Sequence, residues 1–224
     1  MELRLAGTHY PLETLGPGKR FGVWFQGCSL ACPGCMSRHT WDRAAGRAAE
    51  VSDVLARWRD ALDDGAQGMT VSGGEPLEQA EALAALLAGA ARLRDGARRH
   101  EGGAGAGPDL LVYTGHEPGE LTRGRRAALG CADAVVVGRF RVAEPTRLAW
   151  RGSANQRIIP LTPLGVVRYA PYLARGAEGP RLQVVRDEDG LMRLHGVPLR
   201  GELTALESRL RQAGVVLTGR SWRP

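Results

Sequence analysis

Three cysteines fall within eight residues, Cys28-Ser-Leu-Ala-Cys32-Pro-Gly-Cys35, directly after the β-rich run Arg20 to Gln26 (RFGVWFQ). Disulfides between such close neighbours would close small strained rings, so this spacing points to a reduced compartment and a metal centre. Pro33 and Gly34 bend the backbone between the last two thiols and let all three converge. Two donor sets satisfy that geometry. His39 completes a tetrahedral Cys3His zinc site by spacing, whereas a cubane iron–sulfur cluster on three thiolates leaves one iron open to a small ligand.

The rest of the chain restricts the fold around that loop. Val51 to Leu62 places Val51, Val54, Leu55, Trp58 and Leu62 at helical spacing. The apolar stretch Met69 to Val71 ends in Ser72-Gly73-Gly74-Glu75-Pro76, and the Ala/Leu-rich segment Leu77 to Leu93 predicts a helix. Gly102 to Pro108 reads as a low-complexity turn, followed by strands at Asp109 to Tyr113 and Ala134 to Val137 with a helix around Glu120 to Leu129 between them. Strands alternating with helices predict a parallel α/β sheet with crossover helices. Such a sheet gathers ligands at its strands' C-terminal ends, which places the cysteine window, SGGEP, Thr114-Gly115 and Gly138-Arg139 on one rim. Past Pro160 the pattern predicts a hairpin, Arg181 to Arg186 with Leu191 to His195, then a helix from Glu202 to Gln212 and a last strand at Val215 to Leu217.

Composition excludes more than it selects. With 224 residues and 43% hydrophobic content the chain can bury a core. It has no apolar run of about 18 residues and no apolar leader segment, so the expected location is the cytoplasm with no membrane contact. The net charge of +6 is dispersed, and Lys19 is the sole lysine among 30 basic residues. That pattern reads as a genome bias toward arginine, and a nucleic-acid partner is not expected.

A C-x3-C-x2-C loop after one strand and a Gly-Gly-Glu-Pro turn after the next resemble the radical S-adenosylmethionine (radical SAM) superfamily. The segments GCSLACPGCMSRHTWD (Gly27 to Asp42), TVSGGEPLEQ (Thr70 to Gln79), VYTGH (Val112 to His116), VVVGRF (Val135 to Phe140) and WRGSANQRI (Trp150 to Ile158) are similar, in content and order, to the activating proteins of the anaerobic ribonucleotide reductase, with kinship to pyruvate formate-lyase activase. The resemblance covers about Tyr10 to Ile159. It departs at Gly34, where other members carry an aromatic residue, at VVVGRF, which lacks an acidic residue, and in the long segment after Pro160.

The resemblance implies a partial (β/α)6 barrel over residues 1–160 with a small α+β extension over 161–224. It implies that Cys28, Cys32 and Cys35 hold one [4Fe-4S] cluster and that the amino and carboxylate groups of SAM chelate its fourth iron. One electron then cleaves SAM to methionine and a 5′-deoxyadenosyl radical, with no catalytic residue beyond the cluster and SAM. Ser72, Gly73, Gly74, Glu75 and Pro76 become the SAM amine loop. There, side-chain-free glycines admit the methionine moiety and Glu75 opposes its ammonium group. Gly34 and Met36 are expected at the adenine, with Thr114 and Gly115 nearby on the rim.

Partners follow from the same resemblance: a large glycyl radical enzyme that receives the radical, and an electron donor such as flavodoxin or ferredoxin. Arg139, Arg141, Arg151 and Arg157 would dock an acidic partner surface. A radical SAM enzyme acting on a small molecule or peptide is the second reading, and a zinc-stabilised binding module on Cys28, Cys32, Cys35 and His39 the third. Cys131 reads as a core thiol, Trp24 and Trp58 as core aromatics and Trp41 as a shield for the cysteine loop. His116 is a rim residue, His9, His100 and His195 have no assigned role, and Asn155-Gln156-Arg157 organises a turn or faces a partner.

Overall fold

The computed structural model describes residues 1–101, 107–186 and 190–222, with 98–101 described by backbone alone. The Gly102 to Pro108 turn and the hairpin tip at Asp187 to Gly190 therefore lie largely outside the described residues.

The chain is a mixed α/β structure built on a seven-stranded sheet in the order β3-β1-β2-β4-β5-β6-β7. Its strands are β1 (Glu2–Leu12), β2 (Arg20–Phe25), β3 (Arg47–Glu50), β4 (Gly68–Gly73), β5 (Asp109–Tyr113), β6 (Ala134–Val137) and β7 (Arg157–Pro160). The four central strands, β2, β4, β5 and β6, run parallel. β1, β3 and β7 run antiparallel to their neighbours, so the all-parallel sheet expected from the sequence is confined to the centre. Central strands are buried on both faces and read as continuous apolar runs such as Leu110-Leu111-Val112 and Val135-Val136-Val137. β1 alternates only at Leu3 and Leu5 before Gly7 and two register shifts interrupt it, which is why its period of two goes unread.

Helix α1 (Val51–Asp63) turns Val51, Val54, Trp58 and Ala61 inward. Trp58 is fully buried and its indole N–H donates to the Ala90 carbonyl of α2 (Ala80–Glu101) at 3.2 Å. α2 supplies Leu83, Leu86, Leu87 and Ala90 to the same core. A 3-10 turn over Pro76–Gln79 precedes it, with Pro76 at the first position and Glu75 as N-cap. The predicted helix between β5 and β6 is shorter than expected: a 3-10 turn at Pro118–Glu120, then α3 (Arg123–Ala128).

The N-terminal ends of the parallel strands are closed by a buried ion pair. The Arg20 guanidinium is fully buried and meets Asp109 at 2.9 and 2.8 Å. Arg168 and the Tyr169 hydroxyl, both from α4 (Pro163–Tyr169), also donate to Asp109. The opposite, C-terminal ends are thereby left for chemistry.

After α4, β8 (Leu182–Arg186) and β9 (Met192–Gly196) form a separate antiparallel hairpin, followed by α5 (Glu202–Gln212). The predicted strand at Val215 to Leu217 is absent. That segment has no ladder partner, and Val216 is 75% exposed. Apolar β-branched residues favour an extended chain, but a strand also needs a free edge to pair with.

Candidate active site

The cysteine loop leaves β2 at Gln26 and is closed by backbone bonds. Gly27 N–H donates to Thr40 O at 2.8 Å and Cys28 N–H to Trp41 O at 3.0 Å. The Gln26 side-chain amide ties the carbonyls of His39 and Asp42 at 2.9 and 2.6 Å. Inside the loop, Ala31 (φ 43) and Gly34 (φ 76) turn the chain through left-handed conformations, and Cys35 N–H donates to Cys32 O at 3.1 Å.

Cys28, Cys32 and Cys35 are free, half-buried thiols that line one cavity of about 560 Å³. Burial pushes the Cys28 and Cys35 thiols up, against amide donors from Leu30 and Ala31 at Cys28 and from Ser37 and the Trp41 side chain at Cys35. Half-buried sulfurs, two of them already furnished with N–H donors, suit thiolates whose charge is balanced by iron, so the donor set fits an iron–sulfur cluster. His39 does not line the cavity. Burial lowers the pKa of its imidazole, with Arg193 of β9 adding to the shift.

The SGGEP turn is seated on β2. Gly74 N–H donates to Phe25 O and Glu75 N–H to Gly27 O, both at 2.8 Å. A Cβ on Gly73 (φ 105) would lie 2.4 Å from Phe25 O, and one on Gly74 would lie 2.2 Å from Gly27 O. The two glycines are therefore required by contact with the neighbouring strand, a reason different from the close ligand approach inferred from the sequence.

Glu75 is 1% exposed. Its carboxylate accepts from Leu77 N–H at 3.0 Å, the Thr114 hydroxyl at 2.9 Å and Gly115 N–H at 2.7 Å. Burial raises its pKa, and these three donors oppose the rise. Glu75 thus braces the β4 turn against the β5 turn.

Ser72, Gly73, Gly74, Glu75, Thr114, Gly115, Gly34, Met36 and Gly138 all border the thiol cavity. Pro76 does not: it is buried behind Glu75 as the first residue of the 3-10 turn. Trp41 lines the cavity beside Cys35, and Gln156 lines it while donating to Gly138 O at 2.9 Å. The Asn155 amide donates to Arg139 O at 2.9 Å, so this turn supports the β6 rim.

Several expectations change. Cys131 is exposed, because it sits in the turn between α3 and β6, outside the core. Trp24 is half-buried at the cavity edge. His116 is 7% exposed but turned away from the cavity, and among the described residues neither of its ring nitrogens has a hydrogen-bond partner. Three of the four docking arginines are engaged within the chain. Arg139 pairs with Glu120 at 2.7 Å, Arg141 with Glu144 at 3.0 Å, and buried Arg151 donates to the carbonyls of Tyr172 and Leu173.

The C-terminal segment, which carries no motif, supplies a whole side of the cavity: Leu194 to Gly201, Leu203, Thr204 and Trp222. His195 stacks 4.4 Å from Trp24 and 4.8 Å from His9. The Ser221 hydroxyl donates to Met36 O at 3.0 Å, directly after Cys35. Only the glycines at 196 and 201 and the late Trp222 hint at this in sequence, and the cysteine loop that shares the cavity with them is more than 150 residues away.

Residues 14–159 match the family model described as "4Fe-4S single cluster domain". The chain belongs to this 4Fe-4S family. It is 33% identical over 157 residues to the anaerobic ribonucleoside-triphosphate reductase-activating protein of Haemophilus influenzae, covering 67% of this chain and 94% of that protein. The protein of the same name from Pasteurella multocida is 34% identical over 161 residues, covering 69% and 96%. These relatives bear out the resemblance read from the motifs. A match to the crystal structure of QueE from Escherichia coli has a TM-score of 0.35 and 19% identity over 51% of this chain and 53% of that one, too slight to carry an argument. The 4Fe-4S family match stops at Ile159, so the segment that walls the cavity lies beyond it. Among the described residues no helix is long and apolar enough to cross a membrane.

Proposed function

We propose that this chain is a radical SAM enzyme of the glycyl-radical-enzyme activase type, holding one [4Fe-4S] cluster on Cys28, Cys32 and Cys35. The observation that carries the reading is that these three thiols border one cavity into which the SGGEP and Thr114-Gly115 turns also open, while His39, the fourth donor of a Cys3His zinc site, is not among its lining residues. When bound, the cluster supplies one electron to the sulfonium of SAM, giving methionine and a 5′-deoxyadenosyl radical.

The chain's residues then have defined tasks. Cys28, Cys32 and Cys35 supply thiolates, and the amides around them temper the charge on sulfur. Ser72, Gly73 and Gly74 present backbone to the methionine end of SAM, with Glu75 and Pro76 fixing the shape of that turn. Gly34 and Met36 border the adenine side, and Thr114 and Gly115 complete the rim. Leu30, Trp41 and Phe140 exclude water from the reacting groups.

The fold we infer is the partial (β/α)6 barrel type over residues 1–160, its outer units replaced by antiparallel strands, with 161–224 as a small α+β unit. The partner in this reading is a large glycyl radical enzyme; the relatives are named for activating an anaerobic ribonucleoside-triphosphate reductase. A flavodoxin or ferredoxin in the cytoplasm supplies the electron.

Anaerobic purification tests the reading. It requires about four irons and four sulfides per chain and 5′-deoxyadenosine formation from SAM under strong reductant. Alanine at any of the three cysteines should abolish both, while His39→Ala should leave the iron content unchanged. Stoichiometric zinc without sulfide would overturn the proposal in favour of the binding module.

A further inference from the structure

The cavity has two unlike sides. One is the rim of the sheet; the other is made by Val197, Leu199, Arg200, Leu203 and Trp222, from the segment beyond the family match. This second side is a fixed part of the structure. Val197 N–H donates to Arg181 O at 2.9 Å and the Arg181 side chain returns to Val197 O at 3.0 Å. Leu199 N–H is held by the Glu202 carboxylate at 2.6 Å, and Ser221 pins the tail to Met36 O.

Its charge is equally specific. Glu75, the carboxylate bordering the cavity, already accepts three hydrogen bonds. Arg200 is the one arginine among the described lining residues, and among the described residues no carboxylate pairs with it, whereas Arg38 and Arg139, whose charges reach Cys35 and Cys32, lie over Trp41 and on Glu120. An exposed, unpaired guanidinium on this wall attracts anions and repels cations at the cavity mouth.

We propose that the C-terminal wall is the substrate-recognition surface of this site and that Arg200 is its specificity residue, selecting a substrate that carries a carboxylate next to the group presented to the thiol cavity. This deepens the function proposed above by naming a substrate class, and it rests on that reading only in assuming that substrate approaches the thiols. The carboxylate belongs either to a free small molecule or to an acidic side chain on an extended peptide segment.

The test uses the full-length metal-free chain, so it does not depend on the cluster, on SAM or on turnover. Alkylation of Cys28, Cys32 and Cys35 by anionic iodoacetate and by neutral iodoacetamide is followed by mass spectrometry, with exposed Cys131 as internal reference. The ratio of the two rates cancels changes in thiol reactivity. In Arg200→Gln the iodoacetate-to-iodoacetamide ratio should fall about three- to tenfold at the cavity thiols and stay unchanged at Cys131.

Citrate and a glycine-flanked aspartyl peptide are then compared as protectants against iodoacetamide. The one that protects the native chain but not Arg200→Gln identifies the source of the carboxylate. An unchanged ratio, or protection by neither, overturns the proposal. On the cluster-loaded protein, SAM affinity should be the same with and without Arg200. A tenfold loss there would make Arg200 a cofactor residue and also overturn it, whereas absence of a cluster would sink the proposed function and leave the alkylation result standing.

Discussion

Replacing Gly74 by alanine is the sharpest test of how the SGGEP turn is held. The added Cβ would sit 2.2 Å from Gly27 O, 2.8 Å from Gly27 C and 3.0 Å from Thr40 O, all backbone atoms of the cysteine loop. Neither side can yield by rotating a side chain, so the two loops must separate by about an ångström. Overpacking of this kind costs about 1–3 kcal/mol. Separation also weakens the bonds Gly74 N–H to Phe25 O and Glu75 N–H to Gly27 O, each worth about 1 kcal/mol net. Partial relaxation brings the total to about 2–4 kcal/mol, which in a chain of this size lowers the melting temperature by roughly 5–15 °C. The control is Gly115→Ala, whose Cβ meets only the terminal methyl of Leu30 at 2.4 Å, an atom that rotates away, so its loss should stay below about 1 kcal/mol. Thermal unfolding of the three chains, followed by circular dichroism, decides. If Gly74→Ala melts within about 2 °C of the native chain or no lower than Gly115→Ala, the loop is not seated as described.

Other outcomes are equally definite. Arg20→Met leaves the Asp109 carboxylate buried without its main counter-charge and should destabilise the chain by about 3–5 kcal/mol in urea unfolding, with much of the loss recovered in the double variant Arg20→Met, Asp109→Leu. Burial lowers His195 to a pKa of about 4, so between about pH 6.5 and 4 the unfolded chain binds more protons than the folded one. Stability should therefore fall as pH drops through that window, by at most about 3 kcal/mol from this residue, and be flat in this respect above it. His195→Phe keeps a ring on Trp24 and should flatten the fall; an unaltered urea midpoint profile would refute the assignment. Glu75→Gln places an amide N–H against at least one of three donors, and its cost of about 1–3 kcal/mol should be accompanied by weaker SAM binding in the loaded protein.

Some of this molecule can be read along the chain because the interactions are local or strictly periodic. The cysteine spacing, the Pro and Gly between the thiols, the inward stripe of Val51, Val54 and Trp58, and the apolar runs of β5 and β6 each state their structure within a dozen residues. The rule that parallel strands collect ligands at their C-terminal ends then brings the four rim loops together. The reach of that rule stops at the edges of the sheet. β1, β3 and β7 run antiparallel to their neighbours, and Val215 to Leu217 pairs with no strand, neither of which a local pattern states.

What the chain alone determined is the chemistry on offer: three closely spaced thiols, a glycine-rich turn and enough apolar residues to bury a core. Tertiary structure decided how those parts are used. It placed Glu75 as a brace between turns 40 residues apart, left His116 and Pro76 out of the cavity lining, and brought Ser221 onto Met36 across 185 residues of sequence. The physical reason is that steric exclusion, burial and charge pairing depend on which atoms meet in space, and for residues so far apart no local pattern encodes that meeting.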